Sequence, residues 1–447
     1  MTRHFKPCAG ILVAFLFLQL AAPYLRASGN TNHYVFAHYM VCFATYGESI
    51  EGYKREILQA QAAGIDGFAL NVGAWSGPDT YYKSRVKLMY DAAEQLGADF
   101  KLFFSVDLGQ TNDIVDMVAT YGTRPNSFRY NGKVVLSTFG LNGLNWRNGI
   151  FEPLRKRGIE VFFVPHFWSD TGGELPQYRD GVNVLNTYSN ILDGLFLFGA
   201  AGLPYQLAQC NSNYTRAVHE AGKIFMAGMT PHYWGYIQPS VGRRYFESDG
   251  GEGTVLQWRA IIANQPDWVE IVTWNDFNES TYISPVEDPG RYFDYLITPR
   301  RYSHKGYLEL SKRFITWYKT GKEPAVDRDA LFYFYRTHPK NAVASNTNDI
   351  PVKGFIGNIQ DTIYTTVFLT APAQLEIISG KTLTTNSLPA GMSQIQTPFT
   401  PGPQIFAVKR NGTLVLFAQG PDIMASIQNY DFFPASGYAY GKPAVPR

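Results

Sequence analysis

Residues 268–280, Trp-Val-Glu-Ile-Val-Thr-Trp-Asn-Asp-Phe-Asn-Glu-Ser, join a short apolar run to a polar tip. The run at 269–273 predicts a buried strand. The tip that follows carries an indole, an amide and two carboxylates: Trp274, Asn275, Asp276 and Glu279. In parallel α/β barrels the functional side chains lie where strands end and loops begin. This stretch therefore predicts both a strand of a parallel sheet and part of a functional site.

Seven further apolar runs precede it, at residues 34–41, 67–71, 101–106, 133–138, 160–164, 194–198 and 224–229. Segments with helical periodicity lie between and after the runs, at 50–63, 81–96, 113–121, 205–221, 254–264 and 306–318. Such alternation indicates parallel strands covered by helices on both faces. Eight units in under ~300 residues predict an α/β fold, a (β/α)8 TIM-like barrel. A doubly wound open sheet is the alternative, but no Gly-x-Gly-x-x-Gly turn follows the first run.

The character of the chain changes after about residue 321. Short runs rich in β-branched and aromatic residues follow, at 331–335, 362–369, 375–378, 404–408 and 414–417. Glycine and proline turns separate these runs, and no helical pattern of useful length lies between them. The sequence predicts a catalytic barrel over residues 29–321 and an all-β, sandwich-like accessory domain over residues 322–447.

The first 28 residues are predicted to be a secretory signal peptide. Arg3 and Lys6 precede an apolar run from about residue 11 to 22, which is shorter than the ~20 residues of a spanning helix. A membrane anchor is the alternative. Residues 1–27 contain three basic residues and no acidic one, so their removal takes the net charge from +2 to about −1. We therefore expect a secreted protein that binds neither nucleic acid nor, after signal cleavage, membrane.

The composition indicates a globular protein, because 45% of the residues are apolar and 17% are charged. The 29 Tyr, 31 Phe and 8 Trp suit either stacking on sugar rings or an aromatic-rich core. Cys42 and Cys210 lie beyond the signal segment. In an oxidising compartment they can form one disulfide, and two buried free thiols are the alternative.

Polar and aromatic side chains lie at the ends of several predicted strands. Those interpreted as candidate substrate contacts are His38, Tyr39, Asn71, Trp75, Asp107, His166, Trp168, His232, Tyr233, Trp234, Trp274 and Asn275. The indoles can stack on pyranose rings, and the imidazoles can bond to hydroxyl groups. Each of them can equally pack in the core, so position alone leaves both interpretations open.

Asp276 and Glu279 supply the two carboxyl groups that hydrolysis of a glycosidic bond requires, an acid for the leaving oxygen and a base or nucleophile. The alternative is that one caps the following segment while the other is solvated. Asp66 lies just before the second run. From position alone we interpret it as a structural residue that accepts hydrogen bonds from backbone donors.

Other catalytic chemistries find little support in the sequence. The eight His form no His-Glu-x-x-His pattern, and no Cys-x-x-Cys pair is present. A Gly-x-Ser-x-Gly elbow and a phosphate-binding loop are also missing. We therefore expect no metal and no cofactor.

Three motifs carry a resemblance to a known family. They are Val35-Phe-Ala-His-Tyr-Met-Val, Ala62-Ala-Gly-Ile-Asp-Gly-Phe-Ala-Leu-Asn, and the stretch 268–280 with Tyr282-Ile. In this order they resemble glycoside hydrolase family 71, the α-1,3-glucanases or mutanases. The resemblance spans about residues 34–315 and continues into the β-rich part. It implies a polysaccharide substrate, α-1,3-glucan, which the enzyme cleaves within the glucan chain with inversion at the anomeric carbon. We expect the protein to be a monomer.

The resemblance also implies a catalytic role for Asp66 beside Asp276 and Glu279, which replaces the structural interpretation of Asp66. We assign Glu279 as general acid and Asp276 as general base. The sequence departs from the family at Asn278, where glycine is more usual, and at Cys42. A related barrel family that cleaves α-mannans is the enzymatic alternative, and a non-catalytic carbohydrate-binding protein is the alternative from another class.

Overall fold

The computed structural model describes residues 33–77, 81–170, 172–236, 242–287 and 302–442. The expected signal peptide, residues 1–28, lies outside these ranges. No helix within them combines the length and the apolar character that a membrane span requires.

The strands up to residue 287 are, in chain order, β1 Tyr34–Met40, β2 Gly67–Val72, β3 Lys101–Val106, β4 Arg129–Tyr130, β5 Lys133–Thr138, β6 Val161–Phe163, β7 Gly194–Leu197, β8 Ile224–Met229, β9 Tyr233–Trp234, β10 Tyr245–Phe246 and β11 Trp268–Ile271. Eight of them pair in parallel in the order β7-β8-β11-β1-β2-β3-β5-β6. These are the eight predicted runs, and their ends agree with the prediction to within two residues. The predicted parallel sheet is therefore confirmed.

The edges of this sheet meet. The backbone N–H groups of Asp193 and Phe196 donate to the carbonyl oxygens of Phe163 and Pro165, at 3.0 and 2.9 Å. These bonds connect the chain around β6 with the chain around β7, which are the two outermost strands of the parallel order. The sheet thus curls round on itself, which an open doubly wound sheet does not do.

Helices follow the strands and cover the outer face of the sheet. They are α1 Ile50–Ala62, α2 Tyr81–Leu96, α3 Thr111–Tyr121, α4 Glu152–Arg155, α5 Tyr178–Thr187, α6 Pro204–Glu220, α7 Gly250–Asn264 and α8 Lys305–Thr320. In α1 the Ser49 hydroxyl caps the helix by accepting from the Gly52 N–H at 3.1 Å. Its apolar face, including Tyr53 and Ile57, is buried against the strands.

Strand residues alternate between the helices and the interior of the curled sheet, as the period of two requires. An apolar layer fills the interior, with Phe36 in contact with Phe103 and Trp268. Two residues further along β1 and β11, the next inward positions are His38 and Glu270. The next layer of inward side chains, toward the carboxyl ends of the strands, is therefore polar.

The described residues after α8 contain further strands: β12 Ala330–Arg336, β13 Phe355–Ile356, β14 Thr362–Leu369, β15 Ala373–Ser379, β16 Thr382–Leu388, β17 Gly391–Pro398, β18 Gly402–Arg410, β19 Thr413–Ile423 and β20 Pro434–Tyr440. Eight of them form two four-stranded antiparallel sheets, β17-β14-β12-β20 and β16-β15-β18-β19, while β13 pairs in parallel with β10. Side chains of both sheets, such as Leu331 and Phe406, share one apolar core. The five predicted runs lie within β12, β14, β15, β18 and β19.

The β-sheets pack closely against α7 and α8. A Cβ atom at Gly251 would lie 2.6 Å from the Phe334 ring, so only glycine allows this approach. The Ser436 hydroxyl accepts from the Gly306 N–H at 3.2 Å and donates to the Ser303 carbonyl at 3.1 Å. From His33 onward the chain forms one compact unit. The division into two domains at residue 321 therefore stays a prediction.

Cys42 and Cys210 do not form a disulfide with each other. The sequence left open a disulfide or two thiols, and the structure agrees with two thiols. Cys210 is buried and Cys42 is half-buried.

Candidate active site

A short, firmly held loop follows β11 and carries Asp276 and Glu279. The Asp276 N–H donates to the Thr273 hydroxyl at 2.7 Å. Oδ1 of Asp276 accepts from the N–H groups of Asn278 and Glu279, at 2.9 and 3.0 Å. Asp276 therefore caps the turn, as one interpretation of the sequence proposed. The capping bonds also fix the orientation of its carboxylate, which remains 8% exposed at the mouth of the sheet.

Glu279 lines a cleft of about 290 Å³ at the carboxyl ends of the strands. The walls come from the segments that follow β5, β6, β7, β8 and β11, and they include Phe139, His166, Trp168, Phe198, Tyr233 and Arg244. The Trp168 indole is 41% exposed and stacks on Phe139 with ring centres 5.8 Å apart. An exposed, braced aromatic face beside a half-buried carboxylate suits the binding of a sugar ring.

A tyrosine and an ion pair lie around Glu279. The Tyr233 hydroxyl donates to Glu279 Oε1 at 3.4 Å. Burial and the nearby Glu279 raise the pKa of Tyr233, so its hydroxyl keeps its proton. Arg244 contacts the Tyr233 phenol and pairs with Glu174 at 2.7 Å. Arg244 and Glu174 were not among the residues predicted from the sequence.

Polar side chains on β1, β2 and β11, and just after β3 and β6, form a group beside the cleft. His38 Nδ1 lies 2.6 Å from Glu270 Oε1, and Asn71 Nδ2 lies 3.1 Å from His38 Nε2. Asp107 follows β3, and its N–H donates to the Val72 carbonyl at 3.0 Å. Burial lowers the pKa of His166 to about 4, so this imidazole is neutral at neutral pH. His38, Asn71, Asp107 and His166, all predicted, thus share this end of the sheet.

Cys42 follows β1, at the same end of the sheet as Asp107 and Asp276. Burial raises the pKa of its thiol to about 12, and the charges of Asp276 and Asp107 contribute in the same direction. The Cys42 thiol therefore stays protonated at neutral pH.

Asp66 requires a correction. It precedes β2 and so lies at the amino end of the parallel sheet, whereas Asp276 and Glu279 follow the carboxyl end of β11. Its Oδ2 accepts from the Val35 N–H at 2.8 Å, and its Oδ1 pairs with Lys319 at 2.6 Å. The structure does not bring Asp66 to the site, and these contacts give it a structural role.

The Asp66→Asn variant is therefore expected to retain kcat/KM within about twofold. Loss of the half-exposed pair with Lys319 should lower the free energy of unfolding by about 1 kcal/mol. Assay of the purified variant and its thermal unfolding midpoint check both statements. A hundredfold loss of kcat/KM at an unchanged midpoint would instead restore Asp66 to the catalytic group.

Tyr39 and Trp274 also require correction, because both side chains point away from the mouth toward α1. The Tyr39 hydroxyl donates to Glu56 Oε1, and the Trp274 indole N–H donates to Glu56 Oε2, both at 2.8 Å. Tyr39 is 1% and Trp274 0% exposed, so neither ring can stack on a sugar. Burial raises the pKa of Glu56, the shared acceptor, to about 7.

Asn275 and Trp75 are structural as well. Asn275 is fully buried and hydrogen-bonds the backbone of Met40 and Phe43, which fastens the loop after β1. The Trp75 indole N–H donates to Asp116 Oδ2 at 2.7 Å, on the α3 side of the sheet. Its ring packs against Phe104 and is 4% exposed.

His232 and Trp234 lie behind the loop that follows β11. His232 Nδ1 lies 2.9 Å from the Ser280 hydroxyl, and burial lowers the pKa of the imidazole to about 3. Trp234 is fully buried against Phe432 and Phe433, while its backbone N–H donates to the Glu279 carbonyl at 2.8 Å. Both residues brace the loop, so we correct their assignment as substrate contacts.

Glu270 was not among the predicted site residues, although it belongs to the stretch 268–280. The signal was a glutamate in the middle of an otherwise apolar strand, where an unpaired charge is costly. Within the described ranges no three His, Cys, Asp or Glu side chains are grouped so that they could hold a metal ion.

Comparison with known proteins gives the chain its family. The family model described as "Glycosyl hydrolase family 71" matches residues 31–443. A glucan endo-1,3-alpha-glucosidase of Schizosaccharomyces pombe is 31% identical, over 96% of this chain and 99% of that protein. A mutanase of Penicillium rubens is 29% identical, over 92% and 91%. Among solved structures, a GH99 endo-alpha-mannosidase of Bacteroides thetaiotaomicron is 15% identical with a TM-score of 0.49, covering 65% of this chain and 98% of that one. The chain therefore belongs to glycosyl hydrolase family 71.

Proposed function

We propose that this glycoside hydrolase cleaves α-1,3-glucosidic bonds within chains of α-1,3-glucan, with inversion at the anomeric carbon. The observation that carries the proposal is the pair Asp276 and Glu279 in one loop beside an aromatic-lined cleft. Two carboxyl groups on either side of the scissile bond are what this reaction requires. The activities that the names of the two relatives state support the choice of linkage.

Glu279 is the proposed general acid, because it lines the cleft and its Oε1 accepts from Tyr233. It would donate its proton to the oxygen of the leaving sugar. Asp276 is the proposed general base. Two backbone amides hold its Oδ1, so its carboxylate keeps one orientation from which it would take a proton from the attacking water.

Trp168, His166 and Tyr233 are proposed substrate contacts on the Glu279 side, and Asn71 and Asp107 on the Asp276 side. Trp168 offers an open indole face at the rim. His166 Nδ1 faces the Phe196 carbonyl at 3.2 Å, while its buried Nε2 has no hydrogen-bond partner among the described residues and can bond a sugar hydroxyl.

Replacement of Trp168 by alanine is expected to raise KM for soluble α-1,3-oligoglucans about 10-fold, which corresponds to about 1.4 kcal/mol of lost stacking. The unfolding midpoint should change little, since the indole is 41% exposed. Phe417, 54% exposed on β19, provides the control, and Phe417→Ala should leave this KM unchanged. An unchanged KM in Trp168→Ala would remove the indole from the binding site.

Incubation of the purified protein with insoluble α-1,3-glucan and with α-mannan tests the proposal. We expect release of oligosaccharides from the glucan only, and NMR should show the β-anomer as the first product. A first product in the α-form would indicate retention instead. Turnover of α-mannan alone would favour the mannan-cleaving alternative, and adsorption to glucan without any product would favour a binding protein.

Secretion and a monomeric state are also proposed. The N-terminal sequence supports secretion. Protein recovered from the culture medium should begin near residue 28 or 29 and should sediment at the mass of one chain.

A further inference from the structure

A chain of hydrogen bonds leads from the interior of the curled sheet to its mouth. Glu270 Oε1 lies 2.6 Å from His38 Nδ1, and His38 Nε2 lies 3.1 Å from Asn71 Nδ2. Asp107 follows on the next strand, where its N–H donates to the carbonyl of Val72, the neighbour of Asn71, at 3.0 Å. The first two residues are 0% exposed, Asn71 is 5% exposed, and Asp107 is half-buried. The chain crosses four strands, since its members lie on or directly after β11, β1, β2 and β3.

The chemistry of these groups determines which of them donates and which accepts in each hydrogen bond. A carboxylate only accepts, so Glu270 requires a proton on His38 Nδ1 and leaves Nε2 as an acceptor. Nε2 can then accept one N–H of the Asn71 amide, whose other N–H is available to Asp107. Glu270, by accepting from Nδ1, thus selects the orientation of the Asn71 amide that presents an N–H toward Asp107.

Asp107 stands at the mouth beside the proposed base. Asp107 and Asp276 follow the carboxyl ends of β3 and β11, and burial together with both of their charges raises the pKa of the Cys42 thiol, which follows β1. Burial raises the pKa of Asp107, and the neighbouring Asn71 amide opposes that rise. Asn71 therefore favours the carboxylate form of Asp107, which can accept hydrogen bonds from sugar hydroxyl groups.

We propose that Glu270 is a positioning residue, which acts through His38 and Asn71 to orient Asp107 toward sugar hydroxyl groups beside Asp276. The proposal rests on the proposed glucan hydrolysis and adds a residue that does not touch the substrate. The carboxylate of Glu270 has no other hydrogen-bond partner among the described residues, since its Oε2 is buried and unpaired. Its contact with His38 is therefore its main polar interaction.

Glu270→Leu tests the proposal, because leucine fills similar space and cannot accept from His38. We expect kcat/KM for α-1,3-oligoglucans, per folded protein, to fall about 30-fold, as misplacement of a substrate contact does. Glu270→Gln keeps an oxygen acceptor and should stay within about fivefold of the wild type. A purely structural role predicts no such rescue. If Glu270→Leu does not fold, His38→Leu interrupts the chain one step later and should show the same loss.

A second histidine–carboxylate pair on the same strand supplies the control. Asp267, just before β11, accepts from His219 Nε2 and from the Phe225 N–H, both at 2.9 Å, at the amino end of the sheet. Asp267→Asn should lower the unfolding midpoint while kcat/KM per folded protein stays within about twofold. A merely structural Glu270 would behave as Asp267 does.

A double variant decides whether Glu270 acts through the chain. In an Asn71→Leu background, Glu270→Leu should cost no further activity, because the path to Asp107 is already interrupted. Full activity in Glu270→Leu, or a loss that multiplies with that of Asn71→Leu, would overturn the proposal. The wild-type assay on α-1,3-glucan separates these outcomes from failure of the proposed function, since it requires activity before any variant is compared.

Discussion

Replacement of Glu279 by glutamine is expected to lower kcat on α-1,3-glucan about 1,000-fold. Glutamine preserves shape and the contact with the Tyr233 hydroxyl but has no proton to give to the leaving oxygen. General acid–base catalysis contributes factors of this order. Because Glu279 is only half-buried, the unfolding midpoint should move little. Reducing-sugar release and thermal unfolding of the same preparation measure both quantities.

The leaving group separates the roles of the two acids. An aryl α-glucoside with a nitrophenol leaving group needs little protonation, so Glu279→Gln should recover most of its activity on it while Asp276→Asn should not. Glu287→Gln serves as the matched control, since Glu287 pairs with Lys305 at the surface and should leave both activities intact. Equal losses for the two acid variants on both substrates would refute the assignment of acid and base.

The sequence predicted the parallel strands well, because each is a continuous apolar run buried on both faces. In the C-terminal part, β16 (Thr382–Leu388) was not predicted from the sequence. Its side chains are mostly exposed or half-buried, so it lacks an apolar run. Backbone pairing with β15 holds it in place, and this pairing leaves no mark in local composition.

Within the candidate site, the alternation of strand residues separates the predicted side chains that face the interior of the sheet from those that face the helices. His38 and Tyr39 are neighbours in β1, and a strand presents neighbours to opposite faces. His38 faces the interior with Glu270, while Tyr39 faces α1 and Glu56. Applying the period of two from Phe36 would have separated them from sequence alone.

Asp66 shows the limit of a resemblance. Its position before a strand places it at the amino end of the sheet, and functional loops of barrels follow the carboxyl ends. The interpretation from position alone, a residue that accepts from backbone donors, agrees with its bond from the Val35 N–H. The resemblance had overridden that physical argument.

Arg244 and Glu174 were beyond the reach of sequence analysis. They lie in loops without periodicity and are 70 residues apart, and only the fold brings their charges to 2.7 Å. Neither residue belongs to a motif, so no local signal marked the pair that borders the cleft.

Asn275→Ala is expected to cause a large loss of stability. The Asn275 side chain accepts from the Met40 N–H at 2.7 Å and donates to the carbonyl oxygens of Met40 and Phe43 at 3.1 and 2.6 Å. Alanine leaves the buried Met40 N–H without this acceptor, at about 1–3 kcal/mol. The two carbonyl oxygens keep contacts with the Phe43 N–H and the Tyr39 hydroxyl but each lose one hydrogen bond, at about 1 kcal/mol, so we expect about 4 kcal/mol in total. That is a large fraction of the stability of a typical domain. Urea unfolding measures it.

Activity and stability should fall together in the Asn275→Ala variant. Asn275 directly precedes Asp276, and its side chain fastens that position to the loop after β1. We expect kcat per folded protein to drop about 10-fold as Asp276 loses its support. Asn278→Gly, three residues away in the same loop, is the matched control and should cost under about 1 kcal/mol, since Asn278 is half-buried. If Asn275→Ala instead kept its stability and only raised KM, Asn275 would be a substrate contact after all. The three backbone bonds of its fully buried side chain argue for the structural role.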